Sequence, residues 1–355
     1  MAEIDKAARV RPGEEIEVEV VSEFLRSKIL DLPEKMEISQ FPSGFSNLTY
    51  MIRAGNREMV LRRPPIGAKV DKGHDMAREF NLLSALFPVF PRCPRPLAYC
   101  DDVSLIGAPF FVMEKLSGII LRKDLPPGLC FSPQGAGILC ENFIDTLVEI
   151  HSIDMAATGL LSIGKPAGYV KRQVEGWSRR YQKAVTQDAP DCEFLMAWLA
   201  RHMPEDTDSP VMVHNDYKLD NLVLDPDQPR EITGILDWEM ATYGDPLMDL
   251  GNSLAYWVEQ DDPQEMQMMR TMPTHIPGAL TRQQIIERYS QKTGRDVSQF
   301  DYYYCFGLFR LAVIAQQIYH RYFNGLTRNK RFAMLIFGVH ALEKKALSIV
   351  ENSRI

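Results

Sequence analysis

Two short runs carry side chains whose types and spacing can do chemistry: His214-Asn215-Asp216-Tyr217-Lys218-Leu219-Asp220-Asn221, and Asp237-Trp238-Glu239. Moving a phosphoryl group demands little covalent participation from a protein. It demands a group that receives or orients a hydroxyl proton, and metal ions that neutralise developing charge. Asp216 is the candidate for the first task. Asn221 and Asp237 are the candidates for the second, because magnesium prefers hard oxygen donors and draws the rest of its shell from phosphate and water. Asp216 and Asn221 stand five residues apart, so one loop can aim both into a common space. Asp237 lies 16 positions beyond Asn221, which leaves room for a hairpin that returns to the same ion. Loops rich in Asp and Asn are common, and His-x-Asp alone would be read as a turn. The joint pattern, with an amide five residues on and a carboxylate beyond a hairpin, is far more restrictive.

Periodicity supplies the elements that would hold these groups. Residues 18–30 read as an opening helix, with Val21, Phe24, Leu25 and Ile29 near helical spacing. Met36–Phe41, Leu48–Arg53 and Glu58–Arg62 read as strands, the last two joined by the hairpin signal Ala54-Gly55-Asn56. Asp75 can cap a helix running to about Leu86, and apolar runs follow at Leu97–Tyr99 and Pro109–Met113. Beyond Gly118, helical patterns dominate, at about 133–152, 168–185, 191–202, 246–258, 280–293, 299–323 and 328–352. The exception is an island at 211–236, where β-like runs Leu222–Leu224 and Ile232–Leu236 flank the turn-forming Asp225-Pro226-Asp227-Gln228-Pro229. The expected fold is α+β and two-lobed. Residues 1–115 make a small antiparallel-sheet lobe, a hinge lies near 114–118, and residues 116–355 make a larger helical lobe with the catalytic loop. A cleft between two such lobes is a common ligand site.

At 355 residues the chain is long enough for that division, and its apolar and charged fractions are those of an ordinary globular protein. A net charge of −7 speaks against nucleic-acid binding. No apolar run approaches the roughly 20 residues of a membrane span, and the charged start MAEIDKAARVRPGEE lacks the apolar core of a secretory signal. A cytoplasmic location is therefore expected, without nucleic-acid or membrane partners. The six cysteines show neither CxxC pairs nor zinc spacing, so unpaired buried thiols are expected.

The joint motif His214-x-Asp216-x-Lys218-x-x-Asn221 with Asp237 resembles the catalytic loop and metal-binding aspartate of the protein-kinase-like superfamily. Its details, Ile235-Leu236-Asp237-Trp238-Glu239 and Gly244-Asp245-Pro246-Leu247-Met248-Asp249-Leu250, are similar to the aminoglycoside phosphotransferase family, which includes choline-kinase-like enzymes. The nearest branch is the kinase-like segment fused to some acyl-CoA dehydrogenases. The resemblance runs from about Phe41 to at least Trp257 and implies ATP and Mg2+ as cofactors. It implies a phosphate-covering loop at Phe41-Pro42-Ser43-Gly44-Phe45-Ser46-Asn47, whose single glycine departs from the usual pattern and whose Gly44, Phe45, Ser46 and Asn47 would cradle phosphate. Val60 would cover adenine and Arg62 would reach the phosphates, an arginine standing where the superfamily has lysine. With Arg63 adjacent, the plainer reading is a solvated basic strand end. Glu79 would pair with Arg62, and the backbone of Glu114 and Leu116 would bind adenine at the hinge. Lys218 matches the phosphate-facing lysine of protein kinases. His214 and Asp249 are expected to orient loops, with Asp249 bracing the metal loop, and His151 to pack or cap a helix.

Three readings of the activity compete. A small-molecule kinase acting on a hydroxyl fits best, and a hydroxylated acyl-CoA becomes a reasonable acceptor if the fused-dehydrogenase branch is the right relative. A protein kinase is disfavoured: only Met240–Met248 separates Asp237-Trp238-Glu239 from Asp249, and no Ala-Pro-Glu follows. A catalytically weak or inactive nucleotide-binding module is kept open by Arg62 and the glycine-poor loop. The acceptor pocket is expected from residues 168–185 and 253–325. There Arg172, Arg179, Arg180 and Arg310 offer anion contacts, the acidic Glu259–Glu265 reads as a solvated loop, and the Tyr302, Tyr303, Tyr304, Phe306 and Phe309 cluster reads as core.

Overall fold

A computed structural model describes residues 7–42, 47–65, 75–353 and 355. A five-stranded antiparallel sheet comes first, built from β1 (Met36–Gln40), β2 (Leu48–Ala54), β3 (Arg57–Arg63), β4 (Pro96–Cys100) and β5 (Phe110–Glu114). Its order is β1-β2-β3-β5-β4. Gly55 and Asn56 form the two-residue β2–β3 turn, with Gly55 at φ +58°, a conformation that glycine adopts without steric cost. Helix α1 (Val18–Lys28) covers one face and α2 (Met76–Leu86) the other, while a short α3 (Val103–Ile106) lies between β4 and β5. Alternation along β3 decides what each face receives. Met59 and Leu61 pack with Val21 and Leu25 of α1, whereas Val60 joins Met76, Leu83, Phe111 and Met113 on the α2 side.

The chain then becomes helical: α4 (Pro133–His151), α5 (Tyr169–Ala184), α6 (Glu193–Arg201), α7 (Pro246–Ala255), α8 (Gln264–Met269), α9 (Arg282–Thr293), α10 (Phe300–Phe323) and α11 (Leu335–Asn352). Between α6 and α7 lie two ribbons. Strands β7 (Leu222–Leu224) and β8 (Ile232–Ile235) form the expected hairpin, and β6 (Val211–Val213) pairs with β9 (Thr242–Gly244) around it. The β6–β9 pair and α8 go beyond the sequence reading; the first helical pattern after the ribbons stops at Ala255 rather than 258, and the last begins with a 3-10 turn at Lys330–Met334. The long α10 packs against α5, α7 and α11. At its crossing with α7 the backbones touch: a Cβ on Gly307 would lie 2.2 Å from Gly251 O, and one on Gly251 would lie 2.3 Å from Tyr303 O. Tyr302, Tyr303, Tyr304, Phe306 and Phe309 of α10 are buried core residues, as their spacing suggests.

The two regions meet at residues 115–119. Ile119 bridges to Leu224, and Gly234 admits Leu116, whose Cδ1 would stand 2.6 Å from a Cβ there. Residues 116–119 are thereby pinned to the β7–β8 hairpin. Five of the six free cysteines are buried, and Cys130 is exposed, contrary to the expectation for that residue. Among the described residues, no helix is long and apolar enough to cross a membrane.

Candidate active site between sheet and helices

The loop leaving β6 is held by backbone hydrogen bonds to one buried carboxylate. The N–H groups of His214 and Asn215 each donate to Asp249, at 2.7 Å to Oδ2 and 2.7 Å to Oδ1. Asp249 thus braces the loop that begins at His214, where the sequence reading has it brace the loop of Asp237. It is fully buried, and also receives His151 Nε2 at 3.2 Å; the other His151 ring nitrogen meets Tyr289 Oη at 2.8 Å. Burial would raise the Asp249 carboxyl, but the His151 hydrogen bond and the charges and N–H groups around it hold it below its usual range. Asn215, at φ +65°, is fixed on every side. Its Oδ1 accepts from Tyr169 Oη at 3.0 Å, its Nδ2 donates to Met240 O at 3.1 Å, and its carbonyl accepts from Arg310 at 2.7 Å.

His214 is fully buried. Its Nε2 donates to Leu236 O at 3.0 Å, which assigns the proton there and leaves Nδ1 to accept the Asp216 N–H at 3.2 Å. It joins the loop leaving β6 to the residue before Asp237. A second tie, Leu236 N to Asn221 O at 2.8 Å, closes the hairpin, so Asp237 emerges beside Asn221. Asp237 also has a left-handed backbone, φ +67°, a conformation uncommon outside glycine that recurs at functional sites.

Asp216 and Asn221 do converge. Asn221 Nδ2 donates to both Asp216 O and Asp216 Oδ2, each at 2.9 Å. That leaves the amide oxygen of Asn221 free of the Asp216 contact, while the Asp237 side chain is 33 % exposed. An amide oxygen and a carboxylate suit Mg2+. Among the described residues no group of three or more His, Cys, Asp or Glu side chains could hold a metal ion. Lys218 Nζ lies 3.2 Å from Asp216 Oδ2 and 3.7 Å from Asp220 Oδ1, and 4.9 Å from the centre of the Tyr256 ring. Burial would discharge this ammonium, but Asp216, Tyr256 and Asp220 hold it charged.

On the sheet side, Val60 and Arg62 share the face toward the cleft. Arg62 Nη1 donates to Glu79 Oε1 at 2.5 Å, while Nη2 reaches Asp237 Oδ1 at 3.2 Å and Glu239 Oε2 at 2.8 Å. Burial works against its charge, and Glu79, Asp237 and Glu239 together raise its pKa. Burial presses the Glu79 carboxyl upward while Arg62 opposes it. Arg62 Nε and Glu79 Oε2 are buried without hydrogen-bond partners. Glu239, which sequence reasoning did not assign, also accepts from Asn47 Nδ2 at 2.7 Å, and its backbone oxygen accepts from Arg78 of α2 at 2.9 Å. Gly44, Phe45 and Ser46 lie outside the described residues. At the hinge, Glu114 N is tied to Arg95 O at 2.8 Å.

Three other expectations change. Arg63 is no solvated strand end; it is 1 % exposed on the opposite face, donating to Tyr50 Oη at 2.9 Å, Ile106 O at 2.8 Å and Glu14 O at 3.1 Å. The acidic run after α7 is not a free loop: Asp262 is buried and bound by Arg282 at 2.6 Å and Lys345 at 3.2 Å. Arg310, read from sequence as an anion contact, donates to Asn215 O at 2.7 Å and lies over Trp177 at 5.2 Å. Of the other arginines, Arg180 lies over the same ring at 4.5 Å, Arg179 faces Glu175 at 3.7 Å, and Arg172 donates to the carbonyls of Lys165 and Ala167.

A family model described as "Phosphotransferase enzyme family" matches residues 37–277. Acyl-CoA dehydrogenase family member 11 of Rattus norvegicus is 36% identical over 296 residues, covering 82% of this chain and 37% of that protein. Family member 10 of Mus musculus is 37% identical over 292 residues, covering 82% of this chain and 27% of its own length. The chain therefore spans little more than a third, or less, of these curated relatives. Among solved structures, a Ralstonia eutropha protein described as an aminoglycoside phosphotransferase superposes with a TM-score of 0.80 at 27% identity, over 96% of this chain and 100% of that one. Choline kinase from Cryptosporidium parvum shares the fold, with a TM-score of 0.63 at 14% identity over 95% of this chain and 97% of that one.

Proposed function

The chain belongs to the phosphotransferase enzyme family, and from that premise we propose that it is an ATP- and Mg2+-dependent kinase acting on a hydroxyl of a small molecule. The observation that carries this reading is the convergence of Asp216, Asn221 and Asp237. Asn221 bonds Asp216 at 2.9 Å, and the hairpin closing at Leu236 N to Asn221 O, 2.8 Å, returns Asp237 to the same place. In the proposed reaction the acceptor oxygen attacks the γ-phosphorus, the bond to the β-phosphate oxygen breaks, and ADP leaves. Asp216 takes the hydroxyl proton, and Lys218 beside it fixes the carboxylate and limits repulsion from an incoming phosphate. Asn221 and Asp237 would hold Mg2+, which supplies charge neutralisation when bound. Arg62 would grip phosphate with its fork, supported by Glu79. Residues 1–115 would bind nucleotide, Val60 covering adenine and the backbone of Glu114 and Leu116 bonding its edge. Residues 116–355 would receive the acceptor.

The names of the curated relatives favour an acyl-CoA bearing a hydroxyl group as acceptor over an aminoglycoside. A second reading, an inactive nucleotide-binding module, is favoured by Arg62, whose guanidinium is engaged by three carboxylates. Measuring ADP release with Mg2+ across hydroxylated acyl-CoAs, other hydroxylated metabolites and aminoglycosides separates the two. The kinase reading expects release with at least one acceptor, lost in Asp216→Asn. Nucleotide binding without release for any acceptor would favour the inactive module.

A further inference from the structure

We infer that Arg62 guards the metal site, so that the chain takes up a divalent cation with nucleotide and resists it alone. The inference rests on the phosphotransferase reading and deepens it, because it concerns the chain before nucleotide arrives. One guanidinium nitrogen, Nη2, is shared between Asp237 Oδ1 at 3.2 Å and Glu239 Oε2 at 2.8 Å. Asp237 is the carboxylate proposed as magnesium ligand, and Glu239 is the nearest second acid on the same turn. A cation entering alone must compete with a buried, permanently charged arginine for these oxygens.

The geometry also supplies the release. Arg62 is 8 % exposed, yet its Nε has no hydrogen-bond partner among the described residues, and neither does Glu79 Oε2. Buried polar atoms without partners are costly and uncommon in folded proteins. The guanidinium is therefore incompletely satisfied by the carboxylates it holds. A nucleotide phosphate offers several charged acceptors, enough to engage Nε and to draw Nη2 off Asp237. A lysine could not do the same, since one ammonium cannot face Glu79, Asp237, Glu239 and a phosphate through a planar fork. The arginine that departs from the superfamily pattern thus gains a role as a positioning residue that orders assembly of the site.

The test is Mn2+ binding, used as a paramagnetic probe for Mg2+, measured by electron spin resonance and calorimetry with and without ADP. The wild-type chain should bind Mn2+ weakly alone and at least about 100-fold more tightly with ADP; by linkage Mn2+ then tightens ADP by the same factor. Removing the guard should raise affinity for Mn2+ alone by about tenfold or more. Arg62→Lys tests this with the charge kept, and the double variant Arg62→Met with Glu79→Met tests it with the buried Glu79 carboxylate removed together with its partner. Arg122→Met removes a charge paired with Asp220 at 3.8 Å, and should change Mn2+ affinity less than about threefold. An equal gain in Arg122→Met, or no gain in either Arg62 variant, overturns the guard while leaving the kinase reading intact. Failure of the wild-type chain to bind ADP in the presence of Mn2+ overturns both.

Discussion

The two sides of the cleft are held by different means. On the helical side, the start of the loop carrying Asp216 is braced by buried hydrogen bonds: Asp249 takes two N–H groups and a histidine, and Asn215 is bonded through side chain and carbonyl, while further along the loop Asp220 Oδ1 has no hydrogen-bond partner among the described residues. On the sheet side, one arginine is divided among three carboxylates, and two buried atoms of the Arg62–Glu79 pair lack partners. The contrast teaches where rigidity is needed. A base that must meet a hydroxyl within hydrogen-bond reach gains from a fixed loop, whereas a group that must accept an incoming phosphate gains from unsatisfied valences.

The comparison can be broken at its strong side first. Asp216→Asn should lower kcat by roughly 10²–10⁴-fold while ADP affinity stays within about threefold, measured by turnover and calorimetry. Full turnover would end the assignment of Asp216 as base. Next in size, Asp249→Asn should cost about 1–3 kcal/mol of stability in urea unfolding, because it replaces a carboxylate that bonds two N–H groups and His151. Its effect on the reaction should fall on kcat, with KM for ATP little changed; a shift in KM alone would show that the loop is not what Asp249 holds. Smaller still is the effect of exchanging adjacent arginines on opposite faces of β3. Arg62→Lys should raise KM for ATP about tenfold with little change in melting temperature, and Arg63→Lys should lower melting temperature with KM within about twofold. The same parameter moving in both would erase the distinction between the faces.

The smallest effect is on pH. Burial pushes the Asp249 carboxyl up, but the His151 bond and surrounding donors outweigh it and hold its folded pKa below the unfolded value, near about 3.9. Such a group stabilises the fold above the unfolded pKa, and that contribution is lost as pH falls through the folded pKa. Melting temperature should therefore fall below about pH 4, and Asp249→Asn should flatten part of that slope. An unchanged slope would sink the claim that the carboxylate is charged in the folded chain.

Much of this design can be read without coordinates, and the failures have physical causes. Strands β2 and β3, their Gly55 turn and the β7–β8 hairpin follow from local pattern. Strands β6 and β9 have three residues each and pair across the whole hairpin, so no local period reveals them. Asp216, Asn221 and Asp237 were legible because a loop and a hairpin keep them near one another in sequence. Asp249, more than 30 residues from the backbone groups it binds, could be suspected of bracing a loop but not of bracing that one. Arg63 and Asp262 misled because charge suggests solvent. Their partners, Ile106 and Glu14 for one and Arg282 and Lys345 for the other, are distant in the chain.

The bare crossing of Gly251 over Gly307 bears on how this protein can be cut or recombined. The family match stops at residue 277, yet the crossing welds α10 to the helix that carries Asp249, and Arg310, one turn beyond Gly307, reaches Asn215. A graft of the matched stretch alone would carry the reactive loop without its keystone. A transferable unit must therefore extend into α10 (Phe300–Phe323), and a side chain added at either glycine would run into the backbone of the other helix.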